Sequence, residues 1–113
     1  MKREILFRGL SFKGEWIYGS LIQYENSTQI GVLRHPDVMD FVKVRPETVG
    51  QFTGLTDKDG KRIFEGDVVK HGNLYPNFTV KWDYESAMFK HCHKIHTDRI
   101  EIIGNIHDNP ELL

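Results

Sequence analysis

The chain has 113 residues, a length typical of one compact domain or of two very small domains that share a core. Its 15 basic and 16 acidic residues give a formal net charge of -1, so the overall charge does not attract nucleic acid or an anionic membrane. Hydrophobic residues make up 39% and aromatic residues 12%, which suffices for a β-rich core and excludes wholesale disorder.

Cys92 is the single cysteine, so the fold cannot depend on an intramolecular disulfide. This usage fits a reducing compartment, and we expect a cytoplasmic protein. The segment Met1–Arg8 contains a three-residue apolar run before the next charge, far shorter than a signal-peptide core or a membrane span. We therefore expect neither export nor membrane insertion by a classical route.

The first half of the chain predicts short β-strands, because its apolar residues recur with a period of two and turn-forming residues separate the runs. In one of these strands Trp16, Tyr18, Ile22 and Tyr24 fall on the same face. A short helical turn is expected near Asp37 to Phe41. The predicted strands of this half lie near Ile5–Phe7, Trp16–Tyr24, Ile30–Val32 and Phe41–Val44.

Two turns follow each other between residues 57 and 67. Asp57-Lys58-Asp59-Gly60 lies between apolar segments and suits a type I turn followed by a left-handed residue, so it predicts a hairpin with Gly60 at positive φ. Glu65-Gly66-Asp67 then redirects the chain through Gly66 into a new strand. If Asp67 is buried there, we expect its carboxylate to accept backbone N–H groups.

The second half continues with further short strands, and their even spacing predicts an all-β barrel or sandwich. Asn109-Pro110 favours a turn that directs Leu112 and Leu113 back onto the body of the protein. The predicted strands of this half lie near Asp67–Lys70, Phe78–Trp82, Ala87–Cys92 and Arg99–Ile103.

The stretch Glu47 to Val69, with its alternating turn and apolar residues, resembles the signature of the YopX-like family of phage and prophage proteins. The ending Gly104 to Leu113 is similar to that family's ending. The resemblance implies a phage gene context, hence a bacterial host cell. It also implies a small SH3-like barrel in residues 51–113, packed on an N-terminal β unit in residues 1–50. The family has no assigned biochemical activity, so the resemblance supplies no mechanism.

A histidine cluster near residue 91 is one candidate for chemistry. On a strand, His91 and His93 would share a face and could ligate zinc, with His96 nearby. A further ligand could come from elsewhere in the chain. No Cys-x-x-Cys or His-Glu-x-x-His pattern accompanies these residues, so we interpret them as structural or surface groups and predict no metal or other cofactor. The candidates for that further ligand are His71, His107 and Asp98.

Catalysis is not predicted from any residue of this chain. Asp57 and Asp59 are turn formers, and their spacing lacks the further oxygen ligands of an EF-hand loop. The chain contains no serine elbow, no phosphate-cradling glycine loop and no cysteine–histidine pair with an orienting third residue. We therefore expect a protein that is not an enzyme.

Basic and aromatic residues interleave near both ends of the chain, as in small barrels that stack bases of single-stranded nucleic acid. The same aromatic residues also build cores, and the chain has no RNP-like motif, so we do not favour nucleic-acid binding.

The favoured function is an interaction or assembly module that associates with itself or with a host or phage protein. The alternatives are a small nucleic-acid-binding barrel and a metal-dependent protein built on His91, His93 and His96. Self-association is favoured because a chain this short cannot bury two Trp, four Tyr and seven Phe residues internally. The predicted interface consists of Trp16, Tyr18, Tyr24, Leu112 and Leu113.

Overall fold

A computed structural model of the protein describes residues 4–72, 76–83, 85, 87–89 and 99–112. Most of these residues lie in strands, and no α-helix occurs among them, which confirms the predicted all-β class. The chain divides into two compact units, Met1–Phe52 and Thr53–Leu113. Short 3-10 helices lie at Pro46–Thr48 and Pro110–Leu112. The strands are Phe7–Leu10 (β1), Trp16–Tyr24 (β2), Ser27–His35 (β3), Val38–Lys43 (β4), Gly50–Thr56 (β5), Arg62–Phe64 (β6), Asp67–His71 (β7), Phe78–Thr79 (β8), Trp82–Asp83 (β9), Met88–Phe89 (β10) and Ile100–Asn105 (β11).

The first unit is an antiparallel sheet in the order β4-β3-β2-β1, and β1 also pairs with the start of β5. Strands β2 and β3 form one long hairpin, and β3 and β4 form a second. A bulge interrupts the second hairpin between Leu33 and His35. One face of this sheet carries the buried side chains Thr28 and Ile30 of β3, and Val44 and Phe52 are also buried in this unit.

Thr48 fixes the 3-10 helix of the first unit to β1. Its buried hydroxyl accepts a hydrogen bond from the backbone N–H of Leu10 at 2.8 Å and donates one to the carbonyl of Arg45 at 2.6 Å. Thr48 lies in the segment that connects β4 to β5, so its hydroxyl holds this connection against β1.

The second unit contains a three-stranded antiparallel sheet in the order β11-β7-β8 and a short hairpin of β9 and β10. The rings of Trp82 and Phe89 meet edge to face across that hairpin, with centroids 5.0 Å apart. The core of this unit is formed by Ile63, Val69, Val80, Phe89 and Ile100, with Leu55, Phe78, Trp82 and Ile102 packed against it.

Two predictions about local architecture are wrong. The strands of the second unit do not close into a barrel within the described residues, because they divide between separate sheets and β8, β9 and β10 have only two residues each. The helical turn expected near Asp37 to Phe41 is replaced by a turn at Pro36 and Asp37 and by strand β4, which pairs along its length with β3.

Candidate functional site

Asp57 is a buried carboxylate in the turn between β5 and β6. Its Oδ1 accepts hydrogen bonds from the backbone N–H groups of Asp59 and Lys61, both at 2.9 Å. Its Oδ2 accepts a hydrogen bond from the N–H of Ile102 in β11 at 3.1 Å. The side chain therefore closes its own turn and also attaches that turn to a distant strand.

These contacts set the acidity of Asp57. Burial alone raises the pKa of this carboxyl group, but the three N–H donors and the positive charge of Lys61 outweigh that effect. The net result is a pKa below the ordinary value for aspartate. Because its oxygens are engaged by backbone donors and its charged form is favoured, Asp57 is poorly suited to act as a general acid.

Asp67 has a comparable structural role at the start of β7. It is buried, and its Oδ2 accepts a hydrogen bond from the N–H of Phe64 at 2.8 Å, as the sequence predicts. Gly60 and Gly66 have φ values of 81° and 96°, which confirms the predicted left-handed positions in both turns. The carboxylates of Asp57 and Asp67 thus both accept backbone N–H groups in or next to these turns.

The most exposed apolar surface of the first unit lies on the opposite face of the sheet from Ile30. Register and alternation place the side chains of β2, β3 and β4 together on this face, because Ile22 is paired with Gln29, and Leu33 with Met39. We call this surface the aromatic face. It consists of Trp16, Tyr18, Ile22, Tyr24, Leu33, Met39 and Phe41.

Five side chains of the aromatic face are strongly exposed. The exposed fraction lies between 40% and 63% for each of Tyr18, Tyr24, Leu33, Met39 and Phe41. Single exposed apolar residues are common on soluble proteins, but a contiguous group is characteristic of interaction sites. The aromatic face is therefore the candidate functional site of this unit.

Gly31 forms the floor of the aromatic face between β2 and β4. A Cβ atom at this position would lie 2.8 Å from Met39 Cε, 3.3 Å from Ile22 Cδ1 and 3.5 Å from Phe41 Cε1. The missing side chain thus lets three apolar side chains converge above the backbone of β3. The aromatic face is consequently a continuous apolar surface with a shallow centre.

The structure places the predicted interface residues unequally. Tyr18 and Tyr24 lie exposed on the aromatic face, whereas Trp16 is half-buried with the Arg8 guanidinium 4.9 Å from its ring centroid. The side chain of Leu112 and all of Leu113 lie outside the described residues.

Sequence analysis missed Leu33, Met39 and Phe41 as members of this surface. The available signal was the period of two in Val38–Lys43, which the interpretation as a helical turn obscured.

The predicted metal candidates His91, His93 and His96 lie outside the described residues. Within the residues that the structure does describe, no group of three or more His, Cys, Asp or Glu side chains could hold a metal ion.

A small basic cleft lies in the second unit, with a volume of about 210 Å³. The turn after β5 contacts β11, because the N–H of Lys58 donates to the carbonyl of Ile100 at 2.9 Å. Strand pairing places Lys70 opposite Glu101, and Lys58 Nζ lies 3.8 Å from Glu101 Oε1. The residues that line this cleft are Lys58, Lys70, Gly72, Arg99 and Glu101.

In the part of the chain that the structure describes, no helix has the length and apolar character needed to cross a bilayer.

Comparisons with known proteins give one family and one fold. The sequence profile of the family described as "YopX protein" matches residues 6–113. The fold is similar to that of protein EF1440 from Enterococcus faecalis, whose crystal structure matches with a TM-score of 0.62 and 22% sequence identity over 99% of both chains. A comparison with curated proteins finds no match.

Proposed function

The chain belongs to the YopX protein family, and on this premise we propose that it is a non-enzymatic assembly protein that associates with itself through the aromatic face. The observation that carries the proposal is the group of five exposed apolar side chains on one face of one sheet. In a phage or prophage setting, such an accessory protein would work in the cytoplasm of the host bacterium.

A second copy of the chain is a better occupant of the aromatic face than a strongly charged partner would be. The five strongly exposed apolar side chains are uncharged, and Lys43 is the one charged residue that the register places on the same side of β4, so the surface offers little electrostatic pattern that would select a strongly charged ligand. A symmetric contact between two identical apolar surfaces requires no such pattern.

The mass of the protein in solution as a function of concentration tests this function. We expect a stable multiple of 13.2 kDa in multi-angle light scattering at micromolar concentration, with dissociation on dilution. A constant mass of 13.2 kDa from nanomolar to high micromolar concentration would eliminate self-association as the function.

Binding of nucleic acid through its phosphates is a second candidate function, and the basic cleft supports it. Lys58, Lys70 and Arg99 against Glu101 leave a local net charge of +2 (three positive minus one negative) in a chain whose formal net charge is -1. Phosphate contacts by such groups depend strongly on salt.

The nucleic-acid candidate can be tested with a fluorescent oligothymidylate in anisotropy titrations. Binding that weakens on raising the salt concentration and on Lys70→Glu substitution, but not on substitution of the exposed turn residue Lys13→Glu, would support it. Absence of binding in low salt would remove this candidate.

A further inference from the structure

We propose that the second copy joins edge to edge along β4, antiparallel to its counterpart, with the twofold axis passing through Asp40. This inference rests on the proposed self-association and places the contact at the β4 edge of the aromatic face, so that Met39 and Phe41, the members of the face in β4, meet across it. It joins the sheets of the two copies at their β4 edges into one continuous antiparallel sheet across the dimer.

Strand β4 is an open edge within the described residues, because it is the terminal strand in the order β4-β3-β2-β1. Its residues Val38, Met39 and Phe41 are exposed large hydrophobic side chains. Unpaired N–H and C=O groups along an apolar edge are a template for another strand, and natural proteins usually block such edges. Here the strand contains no proline, and its bulge lies on the β3 side, between Leu33 and His35. Its charged residues are Asp40, which Arg34 already neutralises, and Lys43, which needs an acidic group opposite it.

Continuity of the aromatic face restricts the register. Residues directly opposite each other in an antiparallel pair point to the same side of the sheet. Met39 and Phe41 lie on the aromatic face, so an odd-numbered residue must oppose an odd-numbered residue of the other copy. The twofold axis must therefore pass through a residue and not between two residues.

The sequence of the edge selects Asp40 as that residue. The segment Asp37–Lys43 reads Asp-Val-Met-Asp-Phe-Val-Lys, which is chemically symmetric about its centre. With the axis at Asp40, Val38 opposes Val42 and Met39 opposes Phe41, and acidic Asp37, in the turn just before β4, comes opposite basic Lys43. Each of these favourable pairs occurs twice in the dimer.

The central pair would place two like-charged Asp40 side chains opposite each other, which is unfavourable in isolation. Each Asp40 already has a counterion, because Arg34 Nε lies 2.9 Å from Asp40 Oδ2. The two carboxylates therefore enter the interface as compensated pairs. An axis through Phe41 would instead set Met39 against Lys43 and Asp40 against Val42, losing the apolar matches and leaving a charge opposite a valine.

Site-specific disulfide formation tests the register. In a Cys92→Ser background, Asp40→Cys should form a disulfide-linked dimer, because opposed Cα atoms lie about 4.5–5.5 Å apart, within disulfide range. Phe41→Cys should not form such a dimer, because Phe41 of one copy lies opposite Met39 of the other. The two Cα atoms at position 41 would then be offset by two residues along the strands and lie about 8 Å apart. Efficient linkage through Phe41→Cys with none through Asp40→Cys would overturn the proposed axis.

A charge swap provides an independent test that leaves the fold of the edge unchanged. Lys43→Asp should weaken the dimer about tenfold, because two attractive pairs become repulsive. The double variant Asp37→Lys/Lys43→Asp should restore the dissociation constant of the original protein. Weakening in the double variant equal to that in the single variant would contradict opposed Asp37 and Lys43 side chains.

The outcomes separate this inference from the proposed function. A protein that stays monomeric at every concentration refutes self-association itself. A protein that dimerises but shows neither Asp40→Cys linkage nor charge-swap rescue keeps the proposed function and refutes pairing through β4. Dimerisation with both signals supports the proposed geometry.

Discussion

The carboxylate of Asp57 accepts a hydrogen bond from the backbone N–H of Ile102, a residue 45 positions later in the chain. The same carboxylate also accepts N–H groups within its own turn, from Asp59 and Lys61. A turn that local sequence would form by itself is thereby attached to β11 in the second unit. We interpret Asp57 as a stability determinant of this unit.

Asp57→Ala should destabilise the protein by at least about 1–3 kcal/mol, because it removes the acceptor for backbone donors in a buried setting. Chemical denaturation followed by circular dichroism measures this change. The matched control is Asp59→Ala, an exposed residue of the same turn, which should alter the free energy of unfolding by less than about 0.5 kcal/mol. Equal effects of the two substitutions would contradict the role assigned to Asp57.

The stabilisation by Asp57 should depend on pH. Its folded-state pKa is below its ordinary value, since the N–H donors and Lys61 outweigh the effect of burial. The contribution is therefore fully present above the unfolded pKa of about 3.9 and is lost as the pH falls through the folded pKa. The difference in unfolding free energy between the original protein and Asp57→Asn should be constant near neutrality and shrink below about pH 4. A difference that grows on acidification would show the opposite sign of linkage.

Gly60 should tolerate asparagine better than valine. Its φ is 81°, and an added Cβ would find no atom within 4 Å, so the cost of substitution comes from the backbone conformation alone. Asparagine visits left-handed conformations more readily than β-branched residues do. We expect Gly60→Val to cost at least about 1–2 kcal/mol and Gly60→Asn clearly less, as measured by thermal unfolding. Equal costs would indicate that the turn rearranges.

The hydroxyl of Thr48 should be required for full stability of the first unit. Thr48→Val preserves the shape of the side chain but leaves the N–H of Leu10 without its acceptor, at an expected cost of about 1–3 kcal/mol. Thr48→Ser keeps the hydroxyl and serves as the matched control, with a smaller effect in the same denaturation assay. If the serine variant loses as much stability as the valine variant, then Thr48 stabilises the protein mainly through packing of its methyl group and not through its hydroxyl.

Local features of the fold were accessible from the sequence because they depend on residue types near one another. The left-handed positions of Gly60 and Gly66, the alternation in Trp16–Tyr24 and the backbone role of Asp67 all belong to this class. Barrel closure depends on pairing between strands that are distant in the chain, and the residue pattern within one strand does not show which other strand it pairs with.

The candidate site was only partly predictable for the same reason. Alternation placed Tyr18 and Tyr24 on one face, but joining them to Leu33 and Phe41 required the register of two hairpins. The half-burial of Trp16 also depends on Arg8, a residue of the neighbouring strand.

Self-association through the aromatic face is tested most directly by comparing two variants that each remove one exposed phenylalanine ring. Phe41→Ser alters the aromatic face, whereas Phe12→Ser alters a residue that is 60% exposed and lies outside it, in the connection between β1 and β2. Sedimentation velocity over a concentration series gives the dissociation constant of each. We predict that Phe41→Ser weakens the dimer about tenfold or more while Phe12→Ser leaves it unchanged. Dimers of unchanged affinity in Phe41→Ser, or equal weakening in both variants, would contradict the proposal.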